Sequence, residues 1–278
     1  PSQTWASFNT GKKYDEHKCY WYSDPLNSDD LIWNKLVALD KTVGVLGSLH
    51  SSKYPKDLFS NKKWKFYLPD CFANKNLTKP NTYNSFQELN NTLVSNSGRV
   101  TSLINLLKIV PKFILNILFH PNRFGISTYS IFSIFKIIYW SLKHRNIELI
   151  RMAQFPLICT IYKNLFLKHK PDYSTLFSNH VAGNMHRYWY AYRLSDFKNK
   201  NKYSNDWVKK NKMSIFYSLN LLDEFIGNLI SYKEFNDIPI LITSSMGQEA
   251  NPKFDKKYIS KYDGKISNME LFVGYLSN

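Results

Sequence analysis

The chain has 278 residues, 44% hydrophobic and 16% aromatic, which is enough to bury one large α/β core. Its 37 Lys and Arg against 21 Asp and Glu leave a formal charge of +16. The basic residues are scattered and no helix-turn-helix or zinc-finger pattern occurs, which argues against nucleic acid; an anionic ligand, an anionic membrane surface or a merely Lys- and Asn-rich composition remains.

Cys19, Cys71 and Cys159 are an odd, widely spaced set without a CxxC pair. They predict neither a disulfide framework nor a thiolate metal site, and they fit a reducing, cytoplasmic setting. The sequons at Asn76 and Asn90 matter only in a secreted protein. The sequence opens at Pro1 without an initiator Met and reads as an internal fragment or a processed chain.

Leu31 to Leu39 has an amphipathic helical pattern, followed by the apolar run Val43-Gly-Val-Leu-Gly-Ser-Leu49 that reads as a buried strand. From 98 to 169 the character changes. Leu103, Leu106, Leu107, Val110, Phe113, Ile114, Ile117 and Leu118 recur at helical spacing, residues 126–142 are apolar nearly all round, and 147–167 are helical apart from Pro156. A membrane span needs roughly 20 mainly apolar residues, and Lys108, Pro111, Lys112, Arg123 and Lys136 interrupt every candidate. The range 98–169 is therefore expected to be a buried helical insertion or cap, with a membrane-surface element as the other reading.

After the insertion, Lys170-Pro-Asp-Tyr-Ser-Thr-Leu-Phe-Ser178 opens with a turn and reads as a second strand. Leu219, Leu222, Phe225, Ile226 and Leu229 mark a helix, and Ile238-Pro-Ile-Leu-Ile-Thr-Ser244 a third strand. Helix, short turn, apolar strand, then small or polar residues is the rhythm of an α/β fold with a mostly parallel central sheet and helices on both faces. Ligands gather at the carboxyl ends of such strands. That focuses attention on His50 and Ser51, on Asn179 and His180, and on Ser244 and Ser245.

The stretch from Pro1 to Asp24 resembles the nucleophile segment of the alkaline-phosphatase-like superfamily, which includes nucleotide pyrophosphatase/phosphodiesterase and sulfatase relatives. Thr4 falls on the nucleophile, Thr10-Gly11 on a turn and His17 on a following His, with Lys18 where Gly is usual. The segment Pro171 to Trp189 is similar to the family's metal-binding strand end: His186 matches its His, while Ala182 stands at its Asp. In Ile242-Thr-Ser-Ser-Met-Gly-Gln248, only Gly247 matches the family's Asp-His-Gly. The resemblance implies a core of residues 1–97 and 170–278, incomplete at its start, interrupted by the insertion at 98–169.

What the resemblance implies chemically is a hydrolase or transferase acting on a phosphate, phosphonate or sulfate ester through Thr4. A threonine hydroxyl needs a base or a metal to become a nucleophile near neutral pH. Ser245 and Met246 are poor ligands for zinc or manganese, so the standard two-metal site is expected to be lost. One divalent metal, zinc or manganese, is expected at His180 and His186, whose spacing reads as a loop. His186 is also an acid/base candidate. His50, Arg187, Ser244, Ser245 and Gln248 are the substrate-binding candidates, and His17 is expected to pack or cap a turn. The implied ligand is an anionic small molecule or carbohydrate ester. Two other readings stand beside the enzyme: a non-catalytic relative that binds an anionic carbohydrate or nucleotide, and a surface-polysaccharide assembly factor.

Overall fold

The computed structural model describes residues 2–20, 26–95, 111, 113–197, 202–244 and 247–250. Three parallel strands form its sheet: β1 (Val43–Leu46), β2 (Trp64–Leu68) and β3 (Tyr173–Leu176), in the order β2-β1-β3. The helices are α1 (Ser2–Thr10), α2 (Tyr14–His17), α3 (Ile32–Ala38), α4 (Asn84–Ser95), α5 (Pro121–Phe124), α6 (Thr128–Lys143), α7 (Gln154–His169), α8 (His180–Tyr192), α9 (Asn205–Asn211) and α10 (Ser214–Ile230). The fold is thus α/β with a small parallel sheet and mostly helix.

β1 is buried at every position because it is the central strand. Its register with β3 pairs Val43 with Tyr173 and Leu46 with Leu176. At the start of this pair, Asp172 accepts hydrogen bonds from the amide and hydroxyl of Thr42, at 2.8 and 2.7 Å, while Thr42 Oγ1 accepts one from the Asp172 amide. That reciprocal clamp sets the register at the strand origins.

Alternation along the strands sends side chains into two cores. Val43, Val45, Trp64 and Tyr67 join Leu31 and Trp33 of the α3 region on one face. Leu46, Phe66 and Leu68 join Phe155, Ile158 and Tyr162 of α7 and Leu221 and Phe225 of α10 on the other. An irregularity between Val43 and Gly44 keeps β2 in phase across Lys65. Gly44 is required here: a Cβ on it would lie 2.2 Å from the Phe66 ring.

Several elements differ from the sequence reading. β1 and β3 are adjacent and parallel as expected, but shorter. Ile238–Ser244 is not a strand in this sheet: it is extended and exposed, Leu241 at 80%. Pro239 offers no N–H for a ladder, which weakens any pairing near the start of that run. The helix α7 lies inside the range assigned to the insertion, yet it covers the sheet and shares one core with it. Pro156 does not interrupt α7 because it sits in the first turn, where a missing N–H costs nothing. The stretch read as apolar all round, now α6, buries Ser130, Ser133, Ile137, Trp140 and Ser141 and leaves its other apolar side chains in solvent.

Candidate functional site

The carboxyl ends of β1 and β3 are where a parallel sheet places a ligand, and α1 lies across both. At one end of α1, Asn9 Nδ2 donates to Leu49 O just past β1, at 2.8 Å. At the other, the Trp5 indole packs edge-on against Phe177 just past β3, with centroids 5.2 Å apart. Thr4, one residue from Trp5, is exposed on the first turn of α1. The nucleophile candidate therefore sits at a helix N-terminus beside the end of β3. The sequence reading had not foreseen the helix.

Three residues beyond Phe177, α8 begins. Its N-terminal turn also meets the end of β3, so two helix N-termini converge there. Their unpaired amides and dipoles favour negative charge. Arg187 is exposed on α8, and its Nη1 lies 3.8 Å from the position a Cβ would take on Gly183. The guanidinium thus folds back one turn toward the start of the helix.

The histidines are used differently from one another. His180 stacks on Phe155 with centroids 3.5 Å apart. Its Nε2–H donates to Ser218 O at 3.0 Å, which leaves Nδ1 to accept from Ser178 Oγ at 3.0 Å. Desolvation holds its pKa down to about 4, so the ring is neutral. His186 is exposed further along the same helix. Six residues apart on a helix is about 120° around the axis and roughly 9 Å along it. The loop spacing read for this pair is corrected to helix, and as arranged the two do not meet at one zinc or manganese ion. Among the described residues, no group of three or more His, Cys, Asp and Glu is placed to hold a metal.

His50 is buried with a positive φ of 68°, and its Nδ1 lies 4.0 Å from Cys19 Sγ. It faces inward, beside the opposite end of α1 from Thr4. His17 caps a turn: its Nδ1 accepts from the Cys19 amide and its Nε2–H donates to Ser7 Oγ. Ser244 and Gln248 are exposed in the segment outside the sheet, where Gln248 bonds the backbone of Glu249. Ser245 and Met246 lie outside the described residues.

Beside these stands a polar network. Asp70 follows β2 and accepts from the amides of Ser52 and Phe72 at 3.1 and 2.9 Å, while its own amide donates to Ser51 Oγ. Tyr67 donates to Ser51 O, and Ser48 and Thr175 share a hydroxyl–hydroxyl bond across the strand ends. Burial outweighs the backbone donors and pushes the Asp70 carboxyl up to about 6. Ser48 and Thr175 were not singled out from sequence, although both lie where strands end.

Two open grooves lie elsewhere. One, about 660 Å³, is lined by Asn76, Asn81, Asn84, Ser85, Glu88 and Asn116 among others. The second, about 370 Å³, is lined by Cys71, Phe72, Asn74, Asn91 and Thr92 among others. None of the residues nominated from sequence lines either groove. Comparison of the chain with protein-family models, with curated proteins and with solved structures finds no match.

Proposed function

We propose that the chain binds an anionic ester, a phosphate, phosphonate or sulfate carried on a small molecule or carbohydrate, at the carboxyl end of β3. The observation that carries this reading is the convergence of the first turns of α1 and α8 at that strand end, fixed by the Trp5–Phe177 contact. An oxyanion there gains from two sets of helix-terminal amides. The Thr4 hydroxyl donates a hydrogen bond and Arg187 supplies a fork suited to two oxygens.

Transfer or hydrolysis through Thr4 is the second reading. The exposed place of Thr4 at the strand end favours it, in line with the superfamily resemblance. It requires a base within about 3 Å of the hydroxyl or a metal, and His180 and His50 are turned to other partners. Binding is therefore the better-supported reading.

Calorimetric titration with an aryl phosphate, an aryl sulfate and a sugar phosphate tests it, with product formation followed in parallel. At least one of these should bind, and Thr4→Ala and Arg187→Ala should each weaken it by about tenfold, the scale of one charge-assisted hydrogen bond. Turnover lost in Thr4→Ala would promote the enzyme reading. Binding indifferent to both substitutions would overturn the site.

A further inference from the structure

Helix α6 is amphipathic the wrong way round for a soluble cap. Its buried side carries Ser130, Ser133 and Ser141 beside Ile137 and Trp140. Its solvent side carries Ile131, Phe132, Phe135, Ile138, Tyr139 and Leu142, with Phe132 71%, Phe135 64% and Leu142 73% exposed. At 3.6 residues per turn these six side chains fall within about 120° of the circumference and run roughly 16 Å along the axis. They form a continuous convex ridge, and a contiguous apolar surface of this kind marks an interaction site.

The charge around the ridge selects its occupant. From residue 98 to 169 the sequence has ten Lys or Arg and one carboxylate, Glu148. Glu148 is already paired with Arg151 at 2.9 Å, and Glu224 of α10 is paired with Lys136. At the end of the ridge the Lys143 ammonium lies over the Tyr139 ring, 5.6 Å from its centroid, and Arg145 is exposed two residues on. A second copy docking through the same face would set these cations against their own images, which is unfavourable. An apolar helix face with aromatic rings and basic residues at its margin matches the interface of an anionic bilayer instead. No helix of the described residues is long and apolar enough to cross a membrane, and a ridge of this kind does not need to.

We propose that α6 is a membrane-surface docking element: Phe132, Phe135, Ile138 and Leu142 enter the headgroup–acyl boundary of an anionic lipid bilayer while Lys143 and Arg145 meet its lipid phosphates. This assignment is independent of the ligand site at β3.

Flotation of the full chain with vesicles of phosphatidylcholine alone, and with about 30% phosphatidylserine, a mixture in the anionic range that recruits basic segments, tests the proposal. The chain should bind the anionic vesicles and bind the neutral ones weakly. The variant Phe132→Ser/Phe135→Ser should lose about tenfold or more in partitioning. Lys143→Glu/Arg145→Glu should lose at least about fivefold, on the anionic vesicles only. Circular dichroism of both variants checks that they fold. Each changes exposed side chains alone, so a folded variant that binds like the parent would overturn the proposal. So would equal binding to both vesicles, absence of binding to either, or sedimentation showing a dimer that Phe132→Ser/Phe135→Ser dissociates.

Discussion

The edge of the Trp5 indole meets the ring of Phe177 at a centroid separation of 5.2 Å, and this contact ties the helix bearing Thr4 to the end of β3. Helix α1 makes few other specific contacts near its start, so its placement depends on that pair. Trp5→Ala should destabilise the fold by about 2–4 kcal/mol, from lost aromatic burial. It should also weaken anion binding together with Thr4→Ala, because the helix terminus moves with the indole. Urea unfolding and calorimetry on the same preparation check both. A variant that unfolds more easily yet binds normally would detach the site from α1.

The closest packing in the sheet is between Gly44 and Phe66. A Cβ at Gly44 would fall 2.2–2.7 Å from three ring carbons of a fully buried Phe66. Gly44→Ala should therefore cost about 1–3 kcal/mol or more, the range for overpacking a core. In a Phe66→Leu background the same substitution should cost much less. Urea midpoints of the four chains in this double-mutant cycle measure the coupling. Equal costs in both backgrounds would show that the ring and the glycine do not touch.

Asp70 and His180 predict opposite pH dependences. Burial raises the Asp70 carboxyl to about 6 from an ordinary 3.8, so the native state holds the proton more tightly than the unfolded chain. Stability from this group is present below about pH 4 and is lost as pH rises through about 6. At 1.36 kcal/mol per unit the full excursion is roughly 3 kcal/mol. Asp70→Asn should remove that decline, so the variant gains on the parent as pH is raised from 4 to 7. Urea unfolding at several pH values reads the difference; a gap that does not change with pH would contradict the assignment.

For His180, burial lowers the pKa from 6.5 to about 4. The neutral ring stabilises the fold above about pH 6.5, and that stability is lost as pH falls toward 4. His180→Ala should cost about 2–4 kcal/mol through the lost stack on Phe155 and the unpaired Ser218 carbonyl. Zinc should leave the Tm of the parent unchanged, since a ligand that binds only the native state would raise it. A zinc-dependent rise lost in His180→Ala would restore the metal role.

The parts of this fold legible in the sequence were those with clear punctuation. Val43–Leu46 follows an amphipathic helix, and Tyr173–Leu176 follows a Pro-Asp turn, so both strands and their parallel pairing were expected. Strand β2 escaped because it directly follows a polar Asn-Lys-Lys run and its alternation slips at Lys65. The opposite error occurred at Ile238–Ser244, where an apolar run imitates a buried strand but finds no partner in the sheet. Around His180 and His186, Gly183 disguised a helix as a loop, and the two imidazoles were therefore given one site. Thr4 was placed by resemblance alone; its position on a helix N-terminus depends on the Trp5–Phe177 contact, which residues 172 apart in sequence do not announce.

The anion site at the end of β3 is tested most directly by mapping backbone amide shifts of the full chain during titration with a sugar phosphate. The account predicts saturable shifts at the amides of residues 3–5 and 178–183, at the first turns of α1 and α8, with residues 74–92 unmoved. Shifts confined to the grooves lined by Asn76, Asn84 and Asn91 would contradict it and move the ligand to that amide-rich surface.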